Sequence, residues 1–142
     1  MTRKYNFSKN WIEPGLVGSV HLLYDAMRDT YNERPELKTQ SLSDWQYRMA
    51  TYLTSRMRCE VLAYCDGEVV GATSLAITDD IHVGATLEVL ATYIHKDHRS
   101  TAVIKGFLRM SESIARSLGV RTLSVTKYQG PYRYSLRYIP TS

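Results

Sequence analysis

Apolar residues recur at two different spacings along this chain, and the change of spacing divides it. Leu16, Val20, Leu23, Met27 and Tyr31 fall at three- and four-residue intervals, the period of one helix face. Pro14 suits the first turn of such a helix, and Asn32 and Pro35 end it. A second helical stripe, Trp45, Met49, Tyr52 and Leu53, is expected to open near Ser43, whose hydroxyl can accept from a first-turn amide while Asp44 favours that end of the dipole. A short extended segment, Lys4 to Lys9, precedes both helices.

At Arg58 the period changes to that of strands. CEVLAYC, then Asp66-Gly67, then EVVGATSLAIT predicts a hairpin closed by a two-residue type I′ turn. Residues 79–83, DDIHV, read as a polar link to ATLEVLATYI, Ala85 to Ile94. That strand is apolar on both faces apart from Glu88 and two threonines, as a central strand is. After HKDHRS, the residues Val103, Phe107, Met110, Ile114 and Leu118 mark one face of a helix that Gly119 closes at C′. TLSVTKY follows as a strand. Strand, helix and strand in this order predict a right-handed βαβ unit with parallel pairing. The tail, QGPYRYSLRYIPTS, opens on a Gly-Pro turn and alternates Tyr132, Tyr134 and Leu136 against Arg133, Ser135 and Arg137, one final strand.

These elements add up to one α/β (α+β) domain over residues 1–142. Its sheet is mixed and mainly antiparallel, with about five or six strands, two N-terminal helices and a central βαβ crossover helix. A length of 142 residues allows one real core, and 44% hydrophobic with 23% charged residues excludes disordered and fibrous classes. No apolar run approaches the roughly 20 residues of a membrane helix, and MTRKYNFSKN lacks the apolar segment of a secretory leader, so a cytoplasmic location is expected. Cys59 and Cys65 lie six residues apart on one strand, about 20 Å at full extension and beyond disulfide reach, so both read as free thiols.

Candidate chemistry concentrates between Glu88 and Leu118. A helix starting near Ser100 or Thr101, at the carboxyl end of a central strand, offers unpaired amides and partial positive charge to a phosphate, flanked by Arg99 and Lys105. The net charge of +4 favours anionic partners, a cofactor phosphate as readily as nucleic acid. His95, Asp97 and His98 lack a second ligand cluster and read as a solvated turn. No Gly-x-Ser-x-Gly elbow, P-loop or Cys-x-x-Cys occurs. Tyr128, Tyr132, Tyr134 and Tyr138 among Arg133 and Arg137 can stack bases, or pack on a core or a second subunit.

The element order and the segment EVLATYIHKDHRSTAVIKGFL resemble the GNAT superfamily of N-acetyltransferases over roughly residues 5–128. The family signature Arg/Gln-x-x-Gly-x-Gly/Ala corresponds to Arg99-Ser100-Thr101-Ala102-Val103-Ile104, five residues after the strand-ending Ile94. Only the arginine matches strictly, and Phe107 and Leu108 fit the apolar pair that follows. Ala102 and Ile104 stand where glycine, or glycine or alanine, is expected, and a β-branched Ile104 facing the phosphates would crowd them.

The resemblance implies acetyl-CoA as cosubstrate and an amine of a small molecule, peptide or protein as acceptor. It implies that Arg99, Ser100, Thr101, Ala102, Val103, Ile104 and Lys105 hold the pyrophosphate, and that main-chain groups of Thr92 and Ile94 pair with the acetyl and pantetheine arms. It makes Glu88, six residues before Ile94, the candidate base. Period two sets Glu88 on one face with Leu90, Thr92 and Ile94; a strand-rim residue paired with an arginine is the other reading. The later helix that usually carries the tyrosine acid is absent, which leaves Tyr128 and Tyr132 for that role. The short C-terminus hints at a homodimer. A competing reading keeps this fold as an inactive scaffold, a protein- or nucleic-acid-binding module working through its tyrosine-rich tail.

Overall fold

The structure, a computed structural model, describes residues 3–141, so Ser142 at the end of the tail lies outside it. Six strands lie side by side in chain order: β1 (Asn6–Ile12), β2 (Arg58–Cys65), β3 (Glu68–Asp80), β4 (Gly84–Ile94), β5 (Thr122–Gly130) and β6 (Arg133–Pro140). Every neighbouring pair is antiparallel except β4 and β5. The helices α1 (Tyr24–Glu33) and α2 (Leu42–Thr54) fall between β1 and β2, and α3 (Thr101–Ser117) makes the crossover from β4 to β5. This is the mixed α/β architecture that the periodicities predict. No helix among the described residues is long and apolar enough to cross a membrane.

Alternation sorts the strand residues onto two faces. Cys59, Val61, Leu75, Leu87 and Leu123 pack with Val103, Phe107, Ile114 and Ala115 of α3 into the larger core. Ala91 and Tyr93 join Ala26, Met27 and Trp45 in a second core under α1 and α2. Burying a side chain of this size contributes on the order of 1.5–3 kcal/mol, so these two layers supply most of the driving force. Both cysteines are free and buried, and burial pushes the Cys59 thiol up, away from nucleophilic use. Asp66 and Gly67 have φ of 51° and 80°, as the expected type I′ turn requires.

The N-terminal third departs from its helical reading. Residues 13–19 form no helix; a 3-10 turn at Val20–Leu23 leads into α1, and the side chain of Leu23 lies outside what is described. The reason lies in the carbonyls. Arg58, fully buried, donates from Nη2 to the carbonyls of Leu16 and Val17, both at 3.0 Å, and from Nη1 to those of Leu53 and Arg56. Its Nε meets Glu60 Oε2 at 3.2 Å, and Glu60 Oε1 accepts from the amide and hydroxyl of Ser19, both at 2.9 Å. A helix over this stretch would turn those carbonyls toward its own amides. Gly18 (φ +58°) makes the approach possible, because a Cβ there would lie 2.6 Å from Glu60 Oε1.

Smaller boundaries also move. The extended lead-in reaches Ile12 because it pairs along the whole of β2. Ser41, not Ser43, caps α2, accepting from the Asp44 amide at 3.1 Å. Asp79 and Asp80 belong to β3 rather than to a link.

Candidate functional site

The parallel ladder between β4 and β5 consists of two pairs, Leu87 with Leu123 and Glu88 with Ser124. Beyond Glu88 the strands part, while β4 stays paired to β3 as far as Ile94. At the open end lies a cleft of ≈ 260 Å³ lined by Thr30, Glu33 and Arg34 of the α1 end, Thr92, Tyr93 and Ile94 of β4, and Arg99 and Ile104 at the start of α3. A parted pair of parallel strands beside a helix N-terminus leaves main-chain groups without sheet partners, which makes the gap suited to an extended polar ligand.

The same region contains a bulge that sequence periodicity could not show. Ser74 pairs with Ala91 and Leu75 with Val89, so Leu90 has no partner. An extra residue reverses the alternation. Val89 and Ile94 therefore both pack on the α3 core, while Ala91 and Tyr93 face α1 and α2. Glu88, next to the inward Leu87 and Val89, points to the face opposite Ile94. The expectation that Glu88, Leu90, Thr92 and Ile94 share one face is thus overturned. Glu88 stands half-buried on the last rung before the strands part, in a row with Ala76, Ser124 and Tyr138, and has no ion pair among the described residues.

At the start of α3, Ser100 has extended N-cap geometry but its hydroxyl caps nothing, and its buried Oγ is without a partner. The amides of Thr101, Ala102 and Val103 likewise have no protein acceptor among the described residues. Val103 turns its side chain fully into the core, whereas Thr101, Ala102 and Lys105 are exposed. Ile104 is 51% exposed and lies in the lining of the cleft. Arg99 donates from Nε to the Ile94 carbonyl at 3.2 Å and from Nη1 to Glu33 Oε1 at 2.9 Å.

Residues after Glu33 reach the other side of the gap. The Arg34 guanidinium lies 4.2 Å from the Tyr128 ring centroid and 5.8 Å from that of Tyr134. Glu36 accepts from the Tyr134 hydroxyl and, at 3.2 Å, from the Tyr132 amide. Against the desolvation that raises it, these bonds and Arg34 hold the Glu36 carboxyl below its ordinary value. Desolvation and the Glu36 carboxylate push the Tyr128 phenol up in spite of Arg34, so it keeps its proton at neutral pH. Tyr132, at φ 62° on the hairpin tip, is 69% exposed.

The structure thus lines one cleft with Thr92, Ile94, Arg99 and Ile104, while Ser100, Thr101, Ala102, Val103 and Lys105 are not in its lining; Glu88 stands at the apex of the fork and Tyr128 lies under Arg34. Glu33, Arg34 and Glu36 are absent from the sequence reading. Their partners lie 66 to 98 residues away, and no local spacing signals such contacts.

A six-stranded sheet that parts between its only parallel pair, with an arginine and uncapped amides at the opening, fits what comparison with known proteins finds. The family model "Acetyltransferase (GNAT) family" matches residues 20–135. No curated protein matches the chain in sequence. Among solved structures, a protein described as a predicted acetyltransferase from Clostridium acetobutylicum, solved with acetyl-CoA, aligns at TM-score 0.65 and 13% identity over 89% of this chain and 82% of that one. Ribosomal-protein-alanine N-acetyltransferase from Brucella melitensis biovar Abortus 2308 aligns at 0.63 and 15%, over 90% and 83%. Aminoglycoside N-acetyltransferase AAC(6')-Iy in complex with CoA aligns at 0.56 and 12%, over 90% and 81%. At these identities the neighbours show the fold, and the family match covers most of the sheet and all three helices: the chain belongs to the GNAT acetyltransferase family.

Proposed function

We propose that this chain transfers the acetyl group of acetyl-CoA to an amine. The observation that carries this reading is the two-rung ladder between β4 and β5, which opens at Glu88 into a cleft ending at uncapped amides and Arg99. Three features support a diphosphate-bearing cosubstrate here: Ser100 Oγ is buried without a partner, the amides of residues 101–103 have no acceptor among the described residues, and Ile104 is exposed rather than packed in the core.

Acetyl-CoA, when bound, supplies a thioester whose acyl carbon an amine nitrogen can attack. Arg99, the Ser100 hydroxyl and the amides of residues 101–103 would hold the diphosphate, with Lys105 beside them, and the main chain of Thr92 and Ile94 would meet the arm. Glu88, at the apex of the fork, would take a proton from the acceptor ammonium directly or through water. Tyr128 Oη, protonated at neutral pH, would give one to the leaving thiolate. The exposed hairpin-tip setting of Tyr132 makes Tyr128 the better donor.

Calorimetric titration with CoA tests the reading. A Kd on the order of micromolar for the natural chain, weakened at least tenfold by Arg99→Ala, is the expected result. Flat heats with the natural chain would leave the scaffold reading, in which the fold persists without its cosubstrate.

A further inference from the structure

The phosphate-facing arginine of this cleft is already engaged. Arg99 Nη1 lies 2.9 Å from Glu33 Oε1, an ion pair that joins the start of α3 to the end of α1 and lies in the lining of the cleft itself. Glu33 begins a short segment with a second anchorage. Arg34 stacks on Tyr128, and Glu36 holds the Tyr134 hydroxyl and the Tyr132 amide. Residues 33–36 therefore run across the open end of the β4–β5 fork, tied to β4 and α3 on one side and to the β5–β6 hairpin on the other. The Arg99 end is its lighter fastening: the two side chains are 38% and 55% exposed, and an exposed ion pair yields readily to a stronger anion.

We propose that Glu33 is a resident counter-ion of Arg99, which an entering ligand must displace, and that its displacement loosens the strap of residues 33–36. With Nε on the Ile94 carbonyl and one Nη1 N–H on Glu33, Arg99 meets a ligand phosphate as an already neutralised pair, and its full charge reaches the phosphate only when Glu33 leaves. A diphosphate, with more charge and more acceptor oxygens than one carboxylate, can win that exchange. A ligand with little negative charge cannot, so Glu33 acts as a specificity determinant as well as a fastener. The inference rests on the proposed use of this cleft for a CoA thioester, and its test has one arm that needs no ligand.

In the first arm, amide hydrogen exchange is compared between the natural chain and Glu33→Gln without ligand. Removing the charge should speed exchange several-fold in residues 34–39 and at the Tyr132 amide that Glu36 holds. Unchanged exchange there overturns the strap. In the second arm, CoA is titrated at low salt into Glu33→Gln and into Glu112→Gln, which removes the same charge from the exposed face of α3. Glu33→Gln should bind CoA about two- to fivefold more tightly than the natural chain, and Glu112→Gln should match the natural chain. Equal or weaker binding by Glu33→Gln, or an equal gain in both variants, overturns displacement. Faster exchange with no CoA heat from any protein upholds the strap and overturns the transferase reading together with its trigger.

Discussion

Glu88 is the single acidic side chain on β4, and it stands on the last rung of the fork, where the proposed proton transfer would use it. Leu87 and Val89 on either side are committed to the α3 core, and Thr86 is buried with its hydroxyl bonded to the Thr122 carbonyl at 2.9 Å. Glu88 is half-buried and has no ion pair among the described residues, so no salt bridge need be broken for the proposed role. Replacing it with glutamine should lower the rate of thiol release from acetyl-CoA in the presence of an amine acceptor by about 10²- to 10⁴-fold near neutral pH, with the Kd for CoA within about twofold of the natural chain. A rate loss matched by an equal loss of affinity would place Glu88 in binding rather than in proton transfer.

At the scale of elements, the tightest joint is between β1 and α3. A Cβ added at Gly106 would lie 2.0 Å from the tip of the Phe7 ring, which packs edge-on against Phe107 at 5.7 Å between centroids. Gly106→Ala gains about 1 kcal/mol of helix propensity but must displace an aromatic ring, a strain of roughly 1–3 kcal/mol. Urea unfolding should show a net loss of up to about 2 kcal/mol, and the same change in a Phe7→Ala background should instead stabilise. A destabilisation that persists without the Phe7 ring would refute this account of the joint.

Elements of this kind were legible wherever one physical signal dominated. The period of α3, the Asp66-Gly67 turn, the parallel β4–β5 pairing and the strand in the tail all follow from local spacing and connection rules. The bulge at Leu90 was not legible, since an inserted residue in a strand apolar on both faces leaves little mark on the alternation, and the facing of Glu88 went wrong with it. Nor was the coil over residues 13–19, where apolar residues at helical spacing are overridden by the carbonyls that Arg58 demands from another element. The candidate site divides the same way. Arg99 and Glu88 stand in a recognisable segment, whereas Glu33 and Arg34 enter only through the packing of α1 beside it.

Across the whole molecule, Arg58 and Glu60 fasten the second layer to the sheet. All five N–H donors of Arg58 are satisfied, by four carbonyls and one carboxylate, and they tie β2 to the end of α2 and to the coil that aims α1. Glu60→Gln would leave the buried guanidinium without its counter-charge, so the molecule should lose about 3–5 kcal/mol in denaturant unfolding. A loss below about 1 kcal/mol would mean that the backbone carbonyls alone neutralise Arg58.

The brevity of the β4–β5 ladder has a consequence for entry as well. In an unbroken parallel sheet, anything wedged between two strands must tear out a hydrogen bond at every step, each worth about 1 kcal/mol. Here the rungs are already missing past Glu88, so the proposed cosubstrate, a slender guest, would find a ready-made slot and could lend its own amides to the vacant side of β4. The protein has met that penalty during folding, before any guest arrives.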